Sequence, residues 1–334
     1  MYRDMDKKDT NNKRGKIRLN LKDRKILYRL DINSRQSNSE IAKKVGLSKD
    51  VVGYRIKKLE ESGLIKGYYT LIDFSRLGYF SIRVYLKFYD ASPEKEKEII
   101  DFLIKNKKVF YVAMIEGSYD INIGTLIKDI YEFEDFWLIF KRRFKQYIGE
   151  EKISIFTKAY HFHRAYILNK KIDDSEIEFF GQEKIVKYDK TDLEILKIIS
   201  KNARIRLIEI SEKLKIPPTT IAHRIKQLEK NGVIQAYRFI FDFQKFGYEY
   251  YKVDLILKDI SKLEEFVSFA HRNPNIIYVD KTIGGSDFEF DLEVKNKEEF
   301  LSIIENLRKL FTEIRTWNFF SMGRYQKLLY FPDS

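Results

Sequence analysis

The chain contains no cysteine. That removes disulfides, thiolate metal sites and thiol nucleophiles, and it suits a reducing cytoplasmic setting. Histidine is scarce as well, with 4 in 334 residues. His161 and His163, in "HFHR", would share one face of a strand, but a metal site needs further ligands that the surrounding sequence does not supply. An exposed or interfacial pair is the expectation. His223 and His271 stand alone. No Gly-x-Ser-x-Gly or P-loop pattern occurs, so the common hydrolases and kinases lack their nucleophile or phosphate cradle here. No apolar run approaches the roughly 20 residues that span a bilayer, and "MYRDMDKKDTNNKRGK" is too polar for a secretory signal. The expectation is a cytoplasmic non-enzyme with no catalytic residue, metal or cofactor and no membrane partner.

What is present is basic charge, and it is localised. Of the net +13, residues 1–16 contribute +3, residues 17–70 contribute +7 and residues 188–243 contribute +4; the remainder nets −1. A charge spread for solubility would be even, whereas a concentrated one marks a polyanion partner. Neither basic segment carries the broad apolar helix face and flanking tryptophans of a membrane-surface element. Double-stranded DNA is the expected partner.

The two basic segments are copies of one another. "SKDVVGYRIKKLEESGLIKGY" (48–68) and "PPTTIAHRIKQLEKNGVIQAY" (217–237) align without a gap. In the first copy, Ile26, Leu27 and Leu30 have helical spacing, "EIAKKVG" after Ser39 predicts a short helix ended by Gly46, and Ser48 caps a third helix over 49–62. Val52, Ile56 and Leu59 form its inner stripe, as Ile221, Ile225 and Leu228 do in the second copy. Pro218 suits a first helical turn, although Pro217 offers no capping side chain. "LIKGYYTLIDF" predicts a two-stranded ribbon after each third helix. Each copy therefore reads as a winged helix-turn-helix. A longer unit follows each headpiece in the order β-α-β-β-α-β, a ferredoxin-like domain, with Asp120 in one turn matching Asp287 in the other. Phe133, Phe136, Trp137, Phe140 and Phe144, at helical spacing, predict core or interface rather than a base-stacking platform. The fold class is α+β: a basic tail 1–16, headpieces 17–76 and 188–245, sheet domains 77–168 and 246–334, and a linker over 169–187.

This order of motifs resembles the Lrp/AsnC (feast/famine) family of transcription regulators. The carrying residues are "SEIAKKVGLSKDVVGYRIKKLEESGLIKGY" with "GSYDINI", and "IEISEKLKIPPTTIAHRIKQLEKNGVIQAY" with "GGSDFEFDL". Family members usually carry one such pair and dimerise through the sheet domain, so this chain resembles a tandem fusion. The resemblance implies that the third helix reads the major groove. Arg55 and Arg224 match the family's recurrent arginine, and Lys49, Asp50, Tyr54, Lys57 and Lys58 would face DNA, as would Pro218, Thr219, Thr220, His223, Lys226 and Gln227. It also implies that the turns Gly117, Ser118, Tyr119, Asp120 and Gly284, Gly285, Ser286, Asp287 hold a small effector, an amino acid being the expected class. A bare hairpin turn explains the same glycines and aspartates.

Two other functions fit the same architecture. One is a fused siroheme-decarboxylase-like enzyme, which would need cationic or imidazole groups in its sheet-domain pocket; "FYVAMIEG" and "IIYVDKTIGG" supply only Lys281. The other is a nucleoid protein that packs DNA without selecting sites. Self-association through the sheet domains is expected. The linker is long enough for the two domains of one chain to meet as a pseudo-dimer, with copy-to-copy pairing of two chains as the alternative.

Overall fold

The computed structural model describes residues 19–169, 178–181 and 184–331; the basic tail and much of the expected linker lie outside them. In the first half the elements are α1 (Leu21–Ile32), α2 (Asn38–Val45), α3 (Lys49–Glu61), β1 (Ile65–Ile72), β2 (Phe80–Phe88), α4 (Pro93–Lys105), β3 (Val109–Glu116), β4 (Ile121–Ile127), α5 (Ile130–Phe144) and β5 (Ile148–His161). A short strand β6 (Glu178–Phe180) precedes α6 (Lys190–Lys201), α7 (Leu207–Leu214), α8 (Pro218–Lys230), β7 (Ile234–Phe241) and the single turn α9 (Phe243–Phe246). The second half ends with β8 (Glu249–Leu257), α10 (Leu263–Arg272), β9 (Ile276–Ile283), β10 (Phe288–Val294), α11 (Lys297–Leu310) and β11 (Ile314–Leu328). No helix among the described residues is long and apolar enough to cross a membrane.

Helix starts follow local capping chemistry. Ser48 accepts from the Val51 amide at the start of α3, and Pro218 opens α8 with no side-chain cap behind it. Helix α2 begins one residue before Ser39, at Asn38, because Ser37 and Glu40 satisfy each other's amides in a reciprocal capping box.

The expected ribbon within each headpiece does not form. Each copy contributes one strand, and β1 pairs antiparallel with β7 of the other copy, Ile65 opposite Phe241 and Ile72 opposite Ile234. After Ile72 the chain is turned at once, because Asp73 accepts from the Ser75 amide and opens a 3-10 turn over Phe74–Leu77. The open edge of each strand is then satisfied by its counterpart. The junction obeys a pseudo-two-fold axis. Asp73 N donates to Val233 O and Asp242 N to Leu64 O, both at 2.9 Å. The guanidinium of Arg35 donates to Ala203 O at 2.5 Å, and that of Arg204 to Ser34 O at 2.6 Å.

The sheet domains also join within the one chain. Strand order runs β2-β4-β3-β11-β8-β10-β9-β5, and β5 returns to β2, closing a ring of eight strands with β6 appended to β5. Two seams unite the halves, β3 with β11 and β5 with β9. Period-two alternation sends Ile82, Val84 and Leu86 outward against α4 and α5, where Phe133, Phe136, Trp137, Phe140 and Phe144 are all buried. On the other half Val253, Leu255, Phe288 and Phe290 pack in the same outer layer with α10 and α11.

The alternate residues point into the ring, and there they are charged. Arg83 donates to Glu289 at 2.6 Å, to Asp280 at 2.8 Å and to the Tyr85 hydroxyl at 2.7 Å. Lys252 donates to Asp280 at 2.7 Å and to Asp291 at 3.0 Å. Burial alone would raise the Glu289 carboxyl, but Arg83 and Lys252 outweigh it and hold the group at about 2. For Asp291 burial prevails over Lys252, and its carboxyl lies above its ordinary value.

A second buried network fastens the first headpiece to the ring. Arg164, past the end of β5, donates to Asp31 of α1 at 3.0 Å and to Glu293 of β10 at 2.9 Å. Arg238 of β7 lies 3.3 Å from Asp31 and donates to His163 Nδ1 at 2.8 Å. The two histidines do not share a strand face: β5 ends at His161, which lies between the rings of Phe180 and Tyr278, while His163 turns into this network. Burial, then Arg238, lowers His163 to about 4, with Arg164 and His271 adding to the fall and Asp31 opposing it.

The folded state therefore keeps His163 neutral where an unfolded chain protonates it. Stability should be complete above pH 6.5 and decline as pH falls toward 4, with about 3 kcal/mol from this group. In urea titrations across that range, His163→Gln should flatten this part of the profile; an unchanged slope would refute the assignment.

Candidate nucleic-acid interface

Burying Val52, Ile56 and Leu59 turns the opposite face of α3 to solvent. Lys49, Asp50, Tyr54, Lys57 and Lys58 are all exposed there. Lys58 Nζ sits 4.8 Å over the Tyr54 ring, and Lys57 lies 3.8 Å from Glu61, contacts loose enough to yield to a phosphate. On α8 the exposed residues are Thr219, Thr220, His223, Lys226 and Gln227, with Pro218 half-buried at the first turn. The first surface is thus cationic and aromatic, and the second is richer in hydroxyl and amide groups.

Arg55 and Arg224 are placed differently from the expectation that they face DNA. Both are half-buried and turned back onto the first helix of their headpiece. Arg55 Nη1 donates to Asp23 at 2.6 Å; Arg224 Nη1 donates to Asp189 at 2.8 Å and Asp192 at 2.9 Å. Asn20-x-x-Asp23 and Asp189-x-x-Asp192 are the capping boxes of α1 and α6, so each arginine pins its third helix to a helix N-terminus where acidic groups are already gathered. The sequence held the signal, since both arginines stand 32 residues after an acid and both copies repeat it.

The Gly-x-x-Asp turns lie at the seams of the ring. Asp120 accepts from the Phe88 amide and from Lys87, each at 2.7 Å, and Asp287 accepts from the Leu257 amide at 2.8 Å. Each aspartate thus closes the end of a strand. Gly284, at φ +78, is needed because a Cβ would stand 2.8 Å from Ile153 O across the seam. In the second turn the chain's own Glu289 accepts from the Ser286 amide at 3.1 Å and from Thr282 at 3.0 Å. The corresponding residue of the first half, Asn122, instead accepts from the Tyr111 hydroxyl. Lys281, the cation singled out in the second strand, is paired with Glu264 at 2.8 Å. Arg83 and Lys252 carry no signal in the sequence beyond alternation, which puts them on the polar face of a strand without showing that a second sheet covers it.

The winged helix-turn-helix DNA-binding family matches twice, over residues 19–66 and 188–235. An uncharacterised HTH-type transcriptional regulator of Pyrococcus furiosus is 32% identical over 116 residues, 35% of this chain and 77% of that protein. The HTH-type transcriptional regulator FL11 of Pyrococcus horikoshii is 31% identical over 125 residues, 36% of this chain and 83% of its own. This chain belongs to the Lrp/AsnC-type HTH transcription regulators. It is a tandem member, with both units of the family in one polypeptide. Among solved structures, the siroheme decarboxylase NirDL aligns with 93% of this chain and 94% of its own at TM-score 0.63 and 14% identity, a likeness of fold.

Removing the capping contact should weaken the headpiece itself. Arg55→Ala is expected to cost up to about 1 kcal/mol in urea unfolding, the scale of a partly exposed ion pair, and Arg224→Ala a similar amount. Lost DNA affinity at an unchanged unfolding midpoint would return the arginines to the DNA face.

Proposed function

We propose that this regulator binds DNA as a pseudo-dimer contained in one chain, reading an asymmetric site with two unlike helices. The observation that carries this reading is the pairing of β1 with β7, which places α3 and α8 about one pseudo-two-fold axis although their exposed residues differ. Lys49, Lys57 and Lys58 suit phosphates, and Tyr54 lies among them. Thr219, Thr220, His223 and Gln227 suit base edges. Asp50 accepts but cannot donate, which favours a cytosine amino group, whereas Thr219 at the α8 position offers both roles.

Site selection from random duplexes should return two unlike half-sites about 10 bp apart, bound by one chain. A perfect palindrome occupied by two chains would reject the proposal, and a selection that returns no motif would favour a nucleoid-packing role. Replacing Lys57 and Lys58 together by Ala should flatten the log–log salt dependence of binding by about 2, one for each phosphate contact.

The seam turns Gly117–Asp120 and Gly284–Asp287 are the proposed effector positions, with backbone amides for a carboxylate; the first turn is the better candidate because Glu289 already engages the Ser286 amide of the second. An amino acid that binds there should raise Tm through linkage. A flat thermal-shift screen of all twenty would leave both turns purely structural. The full-length fold likeness to NirDL supports a second reading as a tetrapyrrole enzyme, tested by adding iron-siroheme: a shifted absorbance would favour it.

A further inference from the structure

The buried charges between the two sheet domains run in one direction. The pairing registers fix which positions correspond: Arg83 faces Gly124 as Lys252 faces Asp291, and Ala113 faces Asn122 as Asp280 faces Glu289. The second half thus places Asp280, Glu289 and Asp291 where the first half has Ala113, Asn122 and Gly124. Likewise Asp254 of β8 faces Asn318, where its counterpart Tyr85 faces Lys152.

Each acid of the second half that crosses a seam meets a cation of the first. Glu289 and Asp280 meet Arg83. Asp254 meets Lys152 at 3.0 Å. Glu293, at the position of Leu126, meets Arg164 at 2.9 Å. The counterparts of Lys152 and Arg164 in the second half are Asn318 and Tyr330, neither of them a cation. Arg83 is 2% exposed and Glu289 0%, so solvent does not screen the central pair.

Other pairings of these domains cannot balance. Two first halves would bury two Arg83 side chains with no acid at Ala113, Asn122 or Gly124 to answer them. Two second halves would duplicate Asp280, Glu289 and Asp291 against Lys252 alone, with Asp254 and Glu293 facing no cation. A buried charge without its partner is strongly destabilising, whatever the net worth of the pair.

We infer that this one-way set of charges is a pairing code: the first sheet domain accepts the second domain of its own chain and rejects a copy of itself. The consequence is a self-contained regulator that does not exchange halves with neighbouring chains, including single-unit members of its family. The inference deepens the single-chain reading above, but its test uses no DNA, so either can fail without the other.

Because the chain lacks cysteine, the seam can be probed in the full-length protein. Lys158 and Lys281 face each other across β5 and β9. Oxidising the Lys158→Cys/Lys281→Cys protein at micromolar concentration should give a disulfide within one chain and a native mass of 40.1 kDa. A disulfide-linked dimer of twice that mass would overturn the inference. In the same background, Arg83→Glu should lose most of the intrachain cross-link and lower Tm by roughly 10 °C. Adding Glu289→Arg restores opposite signs and should recover both readouts. An Arg83→Glu protein that cross-links and melts like its parent, or a double reversal that recovers neither, would show that charge does not direct the pairing.

Discussion

A four-stranded ferredoxin-like sheet has two faces and two edges, and helices cover only one face. In this protein both open problems have one solution. The edges of each sheet are taken up by the other at the β3–β11 and β5–β9 seams, and the uncovered faces become the interior of the closed ring. That interior is held by Arg83 against Glu289 and Asp280, with Lys252 completing the balance. Apolar residues would have filled the space as well, and with less desolvation. Ion pairs that carry their cation and their acid on different halves add a demand that apolar packing does not make: each half must meet the right partner.

The headpieces depend on this closure. Their wing strands β1 and β7 pair with each other, so neither headpiece is complete alone. Asp31, Arg164, Arg238 and Glu293 then connect α1, the end of β5, β7 and β10 in one buried network. At the related place Tyr69, the counterpart of Arg238, stacks on Tyr330 at 3.9 Å, and among the described residues no such charge network forms there. The first headpiece is therefore held twice, by charge at Asp31 of α1 and by aromatic packing at Tyr69 of β1.

For a DNA-reading protein the same asymmetry has a chemical expression. The outward surface of α3 is lysine-rich, and that of α8 carries threonine, histidine and glutamine. Arg55 and Arg224 shape those surfaces from behind, by fixing each third helix to the capped start of the first. Their role is legible only from position, since arginine in a basic helix suits phosphate and an internal carboxylate equally well.

The elements and the kinship were legible along the chain. Helical stripes such as Val52, Ile56 and Leu59 and the cap at Ser48 are local signals, and local backbone chemistry obeyed them. The repeat told of two headpieces and two sheet domains. It also showed which residues of α3 and α8 would be exposed, because burying one stripe of a helix turns the opposite face outward. Tertiary structure decided everything that required knowing which partner lay opposite. Alternation says that Arg83 and Ile82 point to different faces, but not that the polar face is roofed by a second sheet. A strand's edge does not declare whether its complement comes from a hairpin or from 169 residues away, so β1 looked like half of a local ribbon. His163 read as the next residue of a strand until a turn after His161 carried it among Arg238, Arg164 and Asp31. Propensity is a property of neighbours in the chain, whereas charge balance and edge pairing are properties of neighbours in space.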